Sequence, residues 1–310
     1  MYLSFFGLDE KPFALTPNTA FLVRLAPYQA CLNLLRVALG EGEGFVKVTG
    51  EVGTGKTLLC RALLNVLGEE GERWQLAWLP NPGLTPRALH RALAHELHIE
   101  DIEWLDSHGL LAALNRRLIE LAAQGRSTVL LIDEAQALPA ETLEALRLLT
   151  NLETERCKLL QVVLFGQPEL DALLERPEFR QLRQRITFSY RLRPLDLADT
   201  RRYVDERLQH AGYRGAPLFD GRALRRLVAG SGGIPRLINI LAHKALMAAF
   251  GAGSRQVGAG HVQRALQDTE GARPFRRPGG APLGWSLAGA AALLALLGLQ
   301  GWLGQGSLLP

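Results

Sequence analysis

What this sequence lacks narrows its chemistry before any motif is read. Its three cysteines, Cys31, Cys60 and Cys157, lie far apart and form no ligand-spaced pair. That excludes a cysteine-built structural metal site and points to a reducing compartment. The amino-terminal MYLSFFGLDE has no basic region before its apolar residues, so it does not read as a signal peptide. Charge of one sign is also scarce. Against 35 Lys and Arg stand 31 Asp and Glu, a net +4 over 310 residues. The resulting pI near 9.1 is too mild to argue for nucleic-acid binding by itself. His95-Glu96-Leu97-His98 brings two histidines close but lacks the H-E-x-x-H spacing that a metalloprotease helix needs. What is present is a 47% hydrophobic chain, enough for one large or two modest packed domains.

The most informative stretch is FVKVTGEVGTGKTLL, Phe45 to Leu59. Phe45–Thr49 is a short β-branched and apolar run, which predicts a buried strand. From Thr57 to Leu67 the apolar residues Leu58, Leu59, Ala62, Leu63, Val66 and Leu67 take up helical spacing. Between the two lies Gly50-Glu51-Val52-Gly53-Thr54-Gly55-Lys56-Thr57, a full GxxxxGK[ST] phosphate-loop pattern. Glycines let the backbone turn so that successive N–H groups point at phosphate oxygens. The helix that follows adds the partial positive charge of its amino terminus. Gly50 through Gly55, with Lys56, Thr57 and Leu58, therefore form a candidate cradle for ATP. Lys56 has the reach for the β- and γ-phosphates, and Thr57 carries the hydroxyl that holds Mg2+.

Downstream the pattern alternates. Trp74–Leu79 predicts a second strand, and Thr85-Pro86 starts a capped helix running to about His98. Leu110–Ala123 predicts another helix. Thr128–Ile132 is a continuous apolar run, as suits the centre of a parallel sheet covered on both faces. Asp133 and Glu134 follow at its carboxyl end, where open α/β sheets bind ligands. Below a phosphate loop, such a pair is the second half of a nucleotide site, with Asp133 for magnesium and Glu134 for the attacking water. Glu141–Leu152 predicts a helix, Leu159–Phe165 a strand, Phe179–Gln184 a short helix and Ile186–Tyr190 a fifth strand. Gln167, just past the fourth strand, is either a γ-phosphate contact or the cap of a helix at Pro168. Repeated strand–helix alternation implies a parallel sheet with right-handed crossovers.

From Asp196 the texture changes. Helices are predicted at about 197–211, 220–230, 234–250 and 258–269, with no strands. At their centre lies Ser231-Gly232-Gly233-Ile234-Pro235-Arg236, which puts Arg236 in the first turn of a helix. A cation opposes the helix dipole there, so Arg236 reads as the donor to an anionic partner, the alternative being a solvated surface arginine. The aromatic and proline-rich lead-in, with Phe5, Phe6, Phe13 and Phe21, reads as an ordered segment packed on the core.

These stretches together resemble the AAA+ ATPases, and within them the ExeA/GspA-type secretion ATPases and the biogenesis ATPases of MSHA-type pili. The resemblance runs over about residues 1–270, on GEVGTGKTLLCRALLN, LLIDEAQALP, TLEALRLLTNLE, QVVLFGQPEL, LRQRI and SGGIPRLINILAHKAL. It implies an α/β P-loop core of three layers over 27–193, a helical lid over 194–270, ATP and Mg2+ as ligands, and a homo-oligomer. Lys56 and Thr57 match Walker A, and Asp133 and Glu134 match Walker B. Gln167 falls at sensor 1, where such proteins more often carry Asn, Ser or Thr, and Arg236 falls at sensor 2. Arg183 and Arg185 both lie where the family places an arginine finger, and the resemblance does not choose between them. Pro27 and Tyr28 open a helix that the resemblance places near adenine. The implied work is ATP hydrolysis in support of a type IV pilus or type II secretion machine. An alternative is a DNA-associated regulator of the transposition-ATPase type. The predicted lid carries Arg201, Arg202, Arg222, Arg225 and Arg226, but interspersed acids favour a solvated face, so nucleic acid is not the expected partner.

Residues 271–282 form an Arg/Pro/Gly linker, and no charged side chain follows Arg277. Leu283–Leu303 is apolar or small except for Ser286 and Gln300, the length of a bilayer-spanning helix. Trp285 and Trp302 stand at its ends, and Arg273, Arg276 and Arg277 precede it. That arrangement predicts a single-pass anchor in the bacterial inner membrane with the ATPase in the cytoplasm, and a short tail over 304–310. Gly284, Ala288 and Ala292 form a small-xxx-small row along that helix.

Overall fold

The computed structural model describes residues 2–15, 25–80, 82–153 and 158–272. Within them lie five strands, β1 (Phe45–Gly50), β2 (Trp74–Leu79), β3 (Ser127–Ile132), β4 (Leu160–Gly166) and β5 (Ile186–Leu192), joined in the order β2-β3-β4-β1-β5. Every pairing is parallel. The predicted parallel sheet is therefore present, and each strand starts within two residues of its expected position.

The sheet explains its own sequence. In β3 and β4, alternate residues serve opposite faces. Val129, Leu131, Val163 and Phe165 enter one apolar cluster, and Leu130, Ile132, Val162 and Leu164 the other. Strands covered on both faces have no polar alternation, which is why these runs read as continuous apolar sequence. The edge strand β5 instead alternates between half-buried and exposed residues until Leu192. At the other edge, the Glu96 carboxylate accepts the Trp78 N–H at 2.9 Å, giving a partner to a strand donor that has no neighbouring strand.

Around the sheet run α2 (Ala26–Gly40), α3 (Lys56–Glu69), α4 (Pro86–Glu96), α5 (Ser107–Ala123), α6 (Ala140–Leu149), α7 (Pro168–Leu174) and α8 (Arg180–Arg185), after a short α1 (Tyr2–Phe6). Local chemistry marks their starts. Thr85 caps α4 through Ala88 N–H, with Pro86 at its first position, and Asp106 caps α5 through Gly109 N–H at 2.7 Å. After β5 come only helices: α9 (Leu197–His210), α10 (Gly221–Ser231), α11 (Pro235–Gly251) and α12 (Ala259–Gln267). Asp196 and Asp220 cap the first two. These four helices correspond closely to the four predicted.

Over residues 2–15 the lead-in packs on the carboxyl-terminal helices, and Phe6, Leu8 and Phe13 join the apolar cluster that lines one face of the sheet. Tyr2 lies edge-on to His243 of α11, Phe5 to Phe250 of α11, and Phe13 to Phe219 ahead of α10. Buried Arg207 of α9 donates to the Pro12 carbonyl at 2.6 Å and the Ala14 carbonyl at 3.1 Å. The lead-in thus clasps the carboxyl-terminal helices. Its aromatics announce burial without saying against what.

Among the described residues no helix is long and apolar enough to cross a membrane. The predicted linker from residue 273 onward, the helix at 283–303 and the tail at 304–310 lie outside the described residues, as do Phe21 and Cys157.

Candidate nucleotide site

The phosphate loop begins where β1 ends and closes where α3 starts. Two of its glycines are demanded by geometry. Gly55 is the residue before α3 and sits at φ +93°, and Gly53 sits at φ +80°, both in the left-handed region that other residues rarely enter. Gly53 is also crowded. A Cβ there would come within 2.7 Å of Arg236 Cβ and 3.2 Å of Ile234 Cγ2. The loop and the Gly232–Arg236 turn are therefore in direct contact, and the Arg236 N–H donates to the Gly53 carbonyl at 3.2 Å. Glu51 and Val52 form the exposed tip of the loop, and the Thr54 hydroxyl donates to the Glu51 carbonyl at 2.8 Å.

Lys56 is only 5% exposed. Its Nζ donates to the carbonyls of Gly50 at 2.8 Å and Glu51 at 3.1 Å. Burial lowers its pKa, opposed by the nearby charges of Glu134, Asp133, Glu51 and Glu169. The next residue, Thr57, lies close enough to the Asp133 carboxylate for its hydroxyl to favour the ionised form. Asp133 is buried at the end of β3. Burial pushes its carboxyl up, against the Thr57 hydroxyl and the hydrogen bond from the Glu134 N–H.

Sheet order explains how the rest converge. β4 lies between β1 and β3, so its carboxyl end falls between the phosphate loop and the acidic pair. Gln167 is there. It occupies the residue before α7, yet its side chain does not cap that helix. Its Nε2 instead donates to Glu134 Oε2 at 2.9 Å, so the carboxamide serves the acidic pair. Gln136, in the 3-10 turn Ala135–Ala137, donates to the same oxygen at 2.6 Å. Glu134 stands at φ +52°, a left-handed conformation unusual for a glutamate. Burial raises its pKa, but hydrogen bonds from Gln167 and Gln136 and the charge of Lys56 outweigh this, and the net direction is down.

The other predicted residues fall as follows. Tyr28 is buried beneath the loop, where its hydroxyl donates to the Thr54 carbonyl at 2.8 Å and lies against Gly55. Pro27 presents its carbonyl to the Tyr190 hydroxyl at 2.9 Å. Both therefore brace the loop and the β5 edge in this structure. Leu58 follows Thr57 inside α3. Arg236 has an exposed side chain in the first turn of α11. Arg183 is exposed on α8 and makes one long bond, 3.4 Å, to the Glu175 carbonyl. Arg185 is half-buried and donates to the Arg147 carbonyl at 3.1 Å and the Thr150 hydroxyl at 3.3 Å, at the negative end of α6. Among the described residues neither arginine bonds the loop or the acidic pair.

Sequence reasoning missed Gln136 and the bracing by Tyr28. The first had one weak signal, a carboxamide two residues past the acidic pair. The second had none, because nothing local ties a helix start to a loop carbonyl some 26 residues later.

Whether these residues suit magnesium is a question of donor type. Among the described residues no group of three or more His, Cys, Asp or Glu forms a metal cluster. One buried carboxylate beside one hydroxyl is a poor cage, but it fits a cation that keeps waters and takes phosphate oxygens. The donor set therefore fits Mg2+ held together with a nucleotide.

A parallel sheet with its phosphate loop after β1, its acidic pair after β3 and a helical segment reaching back to the loop defines a P-loop ATPase domain of the AAA+ class. Residues 39–174 match the family described as "AAA domain". The chain is 44% identical over 302 residues, 97% of its length, to general secretion pathway protein A of Aeromonas hydrophila, and it spans 54% of that relative. Over nearly its whole length the chain is thus similar to the AAA+ ATPases of the general secretion pathway protein A (ExeA/GspA) family. Among solved structures it resembles Cdc6p of Pyrobaculum aerophilum (TM-score 0.64, 18% identity, 84% of this chain and 71% of the other). It also resembles the ORC2 protein of Aeropyrum pernix in ADPNP–ADP complexes (TM-score 0.62, 17% identity, 86% and 73%). The branch-migration motor RuvB of Thermotoga maritima is more distant (TM-score 0.53, 16% identity, 80% and 70%). At these identities the structures share the fold alone.

Proposed function

We propose that the chain binds ATP with magnesium and hydrolyses its β–γ phosphoanhydride. The observation that carries this is the connected row at the carboxyl ends of three adjacent strands. Lys56 and Thr57 follow β1, Gln167 follows β4, and Asp133 and Glu134 follow β3, with Thr57 beside Asp133 and Gln167 bonded to Glu134. Backbone N–H groups of Gly50–Leu58 and the Lys56 ammonium hold the phosphates. Thr57 and Asp133 hold Mg2+, which when bound neutralises charge on the phosphate oxygens. Glu134 polarises the attacking water and receives its proton. Gln167, on the same carboxylate, orients that water. Arg236 stands on the turn that touches the loop, where its free guanidinium serves as a charge-assisted donor to the γ-phosphate.

The trans-acting arginine of this reading is Arg183. It is exposed and barely tethered, whereas Arg185 is committed to the carbonyl end of α6. Arg183→Ala is expected to lower hydrolysis by roughly 10³-fold or more while leaving ATP affinity and thermal stability unchanged. Arg185→Ala is expected to lower the melting temperature first. Equal hydrolysis losses from the two variants at equal stability would contradict the assignment.

The proposed setting is the inner membrane, where the ATPase would self-associate and assist assembly of an MSHA-type pilus or a type II secretion machine. The name of the Aeromonas relative supports a secretion role, and the apolar stretch 283–303 supports an anchor. Fractionation of the intact chain beside a 1–277 truncation, with an alkaline carbonate wash, tests this. Only the intact chain should stay in the washed membrane. Equal release of both would remove the anchor. It would also favour the DNA-associated reading, for which exposed Arg201, Arg202, Arg222 and Arg225 supply the surface.

A further inference from the structure

The amide of Gln136 is placed to act on the reaction through Glu134. It bridges two strand ends that no backbone ladder connects at this level. Its Oε1 accepts the backbone N–H of Gln167 at 2.9 Å, after β4, while its Nε2 donates to Glu134 Oε2 at 2.6 Å, after β3. The backbone donor decides which end of the amide faces which way. An N–H of Gln167 demands the oxygen, so the nitrogen must face the carboxylate. The end of β4 packs tightly here against α7. Gly166 has no Cβ, and one added there would meet Gln136 Oε1 at 3.4 Å and collide with Leu170, at 2.6 Å from its Cδ2.

Glu134 needs such a partner. Its left-handed backbone lies in a region that glutamate seldom occupies and that the surroundings must hold. The Glu134 N–H is fixed by Asp133 Oδ1 at 2.9 Å, and its carbonyl accepts the Ala137 N–H at 2.9 Å. Among the described residues its carboxylate is held by the two amides. Both donate to Oε2, which leaves Oε1 as the acceptor available to a water. The same Gln136 side chain also sets the backbone of Gln167, the second donor. One residue therefore positions both members of the Glu134–Gln167 pair.

We propose that Gln136 is a positioning residue for hydrolysis, one that aims Glu134 Oε1 and registers Gln167 against it. This rests on the reading of Glu134 as the group that activates water. It assigns Gln136 no contact with nucleotide or metal.

Two variants of the intact chain test it. Gln136→Met keeps the length and removes both hydrogen bonds. Gln136→Glu keeps an oxygen for the Gln167 N–H but removes the donor to Glu134. Both are expected to lower kcat at least roughly tenfold, the scale of one hydrogen bond to a charged group. The dissociation constant for ATP should stay within about twofold, since nothing in the phosphate loop is touched. Gln136→Glu at the wild-type rate would show that only the backbone contact matters and would overturn the proposal. So would losses in kcat, ATP affinity and melting temperature that move together, the mark of a merely structural residue. Glu134→Gln, measured beside them, separates the two levels. If it turns over normally, the reading of Glu134 fails and this inference fails with it. If it is inactive while both Gln136 variants turn over normally, only the role of Gln136 is lost.

Discussion

Lys56→Ala is expected to abolish ATP binding. The ammonium is held inside the loop by the carbonyls of Gly50 and Glu51, so it is already desolvated and aimed before a nucleotide arrives. Its removal takes away the one cation of the loop sequence and the Lys56 bond to the Gly50 carbonyl, while the Glu51 carbonyl keeps Thr54. Loss of a buried charge-assisted partner costs about 2–5 kcal/mol in binding, or roughly 30- to 5,000-fold in affinity. A thermal melt gives the readout. Saturating ATP at about 100 times its dissociation constant should stabilise the parent by about 2.7 kcal/mol, and the Lys56→Ala variant by about 0.9 kcal/mol at most. An unchanged affinity in the variant would dismantle the site assignment from its first residue.

Glu134→Gln is expected to do the opposite, retaining ATP and losing turnover. The substituted amide has the same shape, so its carbonyl oxygen still accepts from Gln136 and Gln167 and the turn from β3 is preserved. What disappears is the base. Loss of a positioned general base typically costs about 10²–10⁴ in rate. Labelled nucleotide recovered from the variant after a long incubation should be mostly ATP, where the parent yields ADP. The parent Glu134 is suited to this task because its two amide donors and Lys56 hold its carboxyl below the usual range despite partial burial. It is therefore ionised, and able to accept a proton, at neutral pH.

How much of this was legible in the sequence depended on whether the signal was local. The central strands β3 and β4 were legible because cover on both faces forces long apolar runs, and β1 because a β-branched run leads into the phosphate loop. The phosphate loop was legible because its backbone demands glycine at Gly53 and Gly55 and its chemistry demands Lys56-Thr57. Gln167 was legible as a position, past a strand that the order β3-β4-β1 puts between the two halves of the site. Its partner was not, because a carboxamide before Pro168 reads equally well as a helix cap. Gln136 was hidden for a related reason. Only the left-handed turn at Glu134 brings it back onto the carboxylate, and no residue pattern announces that turn. Arg183 and Arg185 shared one sequence argument and parted only when the carbonyl end of α6 was seen to hold the second. The lead-in shows the same limit, since Phe5 and Phe13 announce packing but not that α11 and the segment before α10 receive them.

The most direct test of the central claim is phosphate release from ATP by the intact chain in magnesium, with Lys56→Ala and Glu134→Gln run alongside. The account predicts steady release by the parent and none above background by either variant, with ATP retained by Glu134→Gln alone. Release by Glu134→Gln at the parental rate would contradict it, because Asp133, Glu134 and Gln167 would then be a structural cluster at the end of the sheet rather than the hydrolytic half of the site.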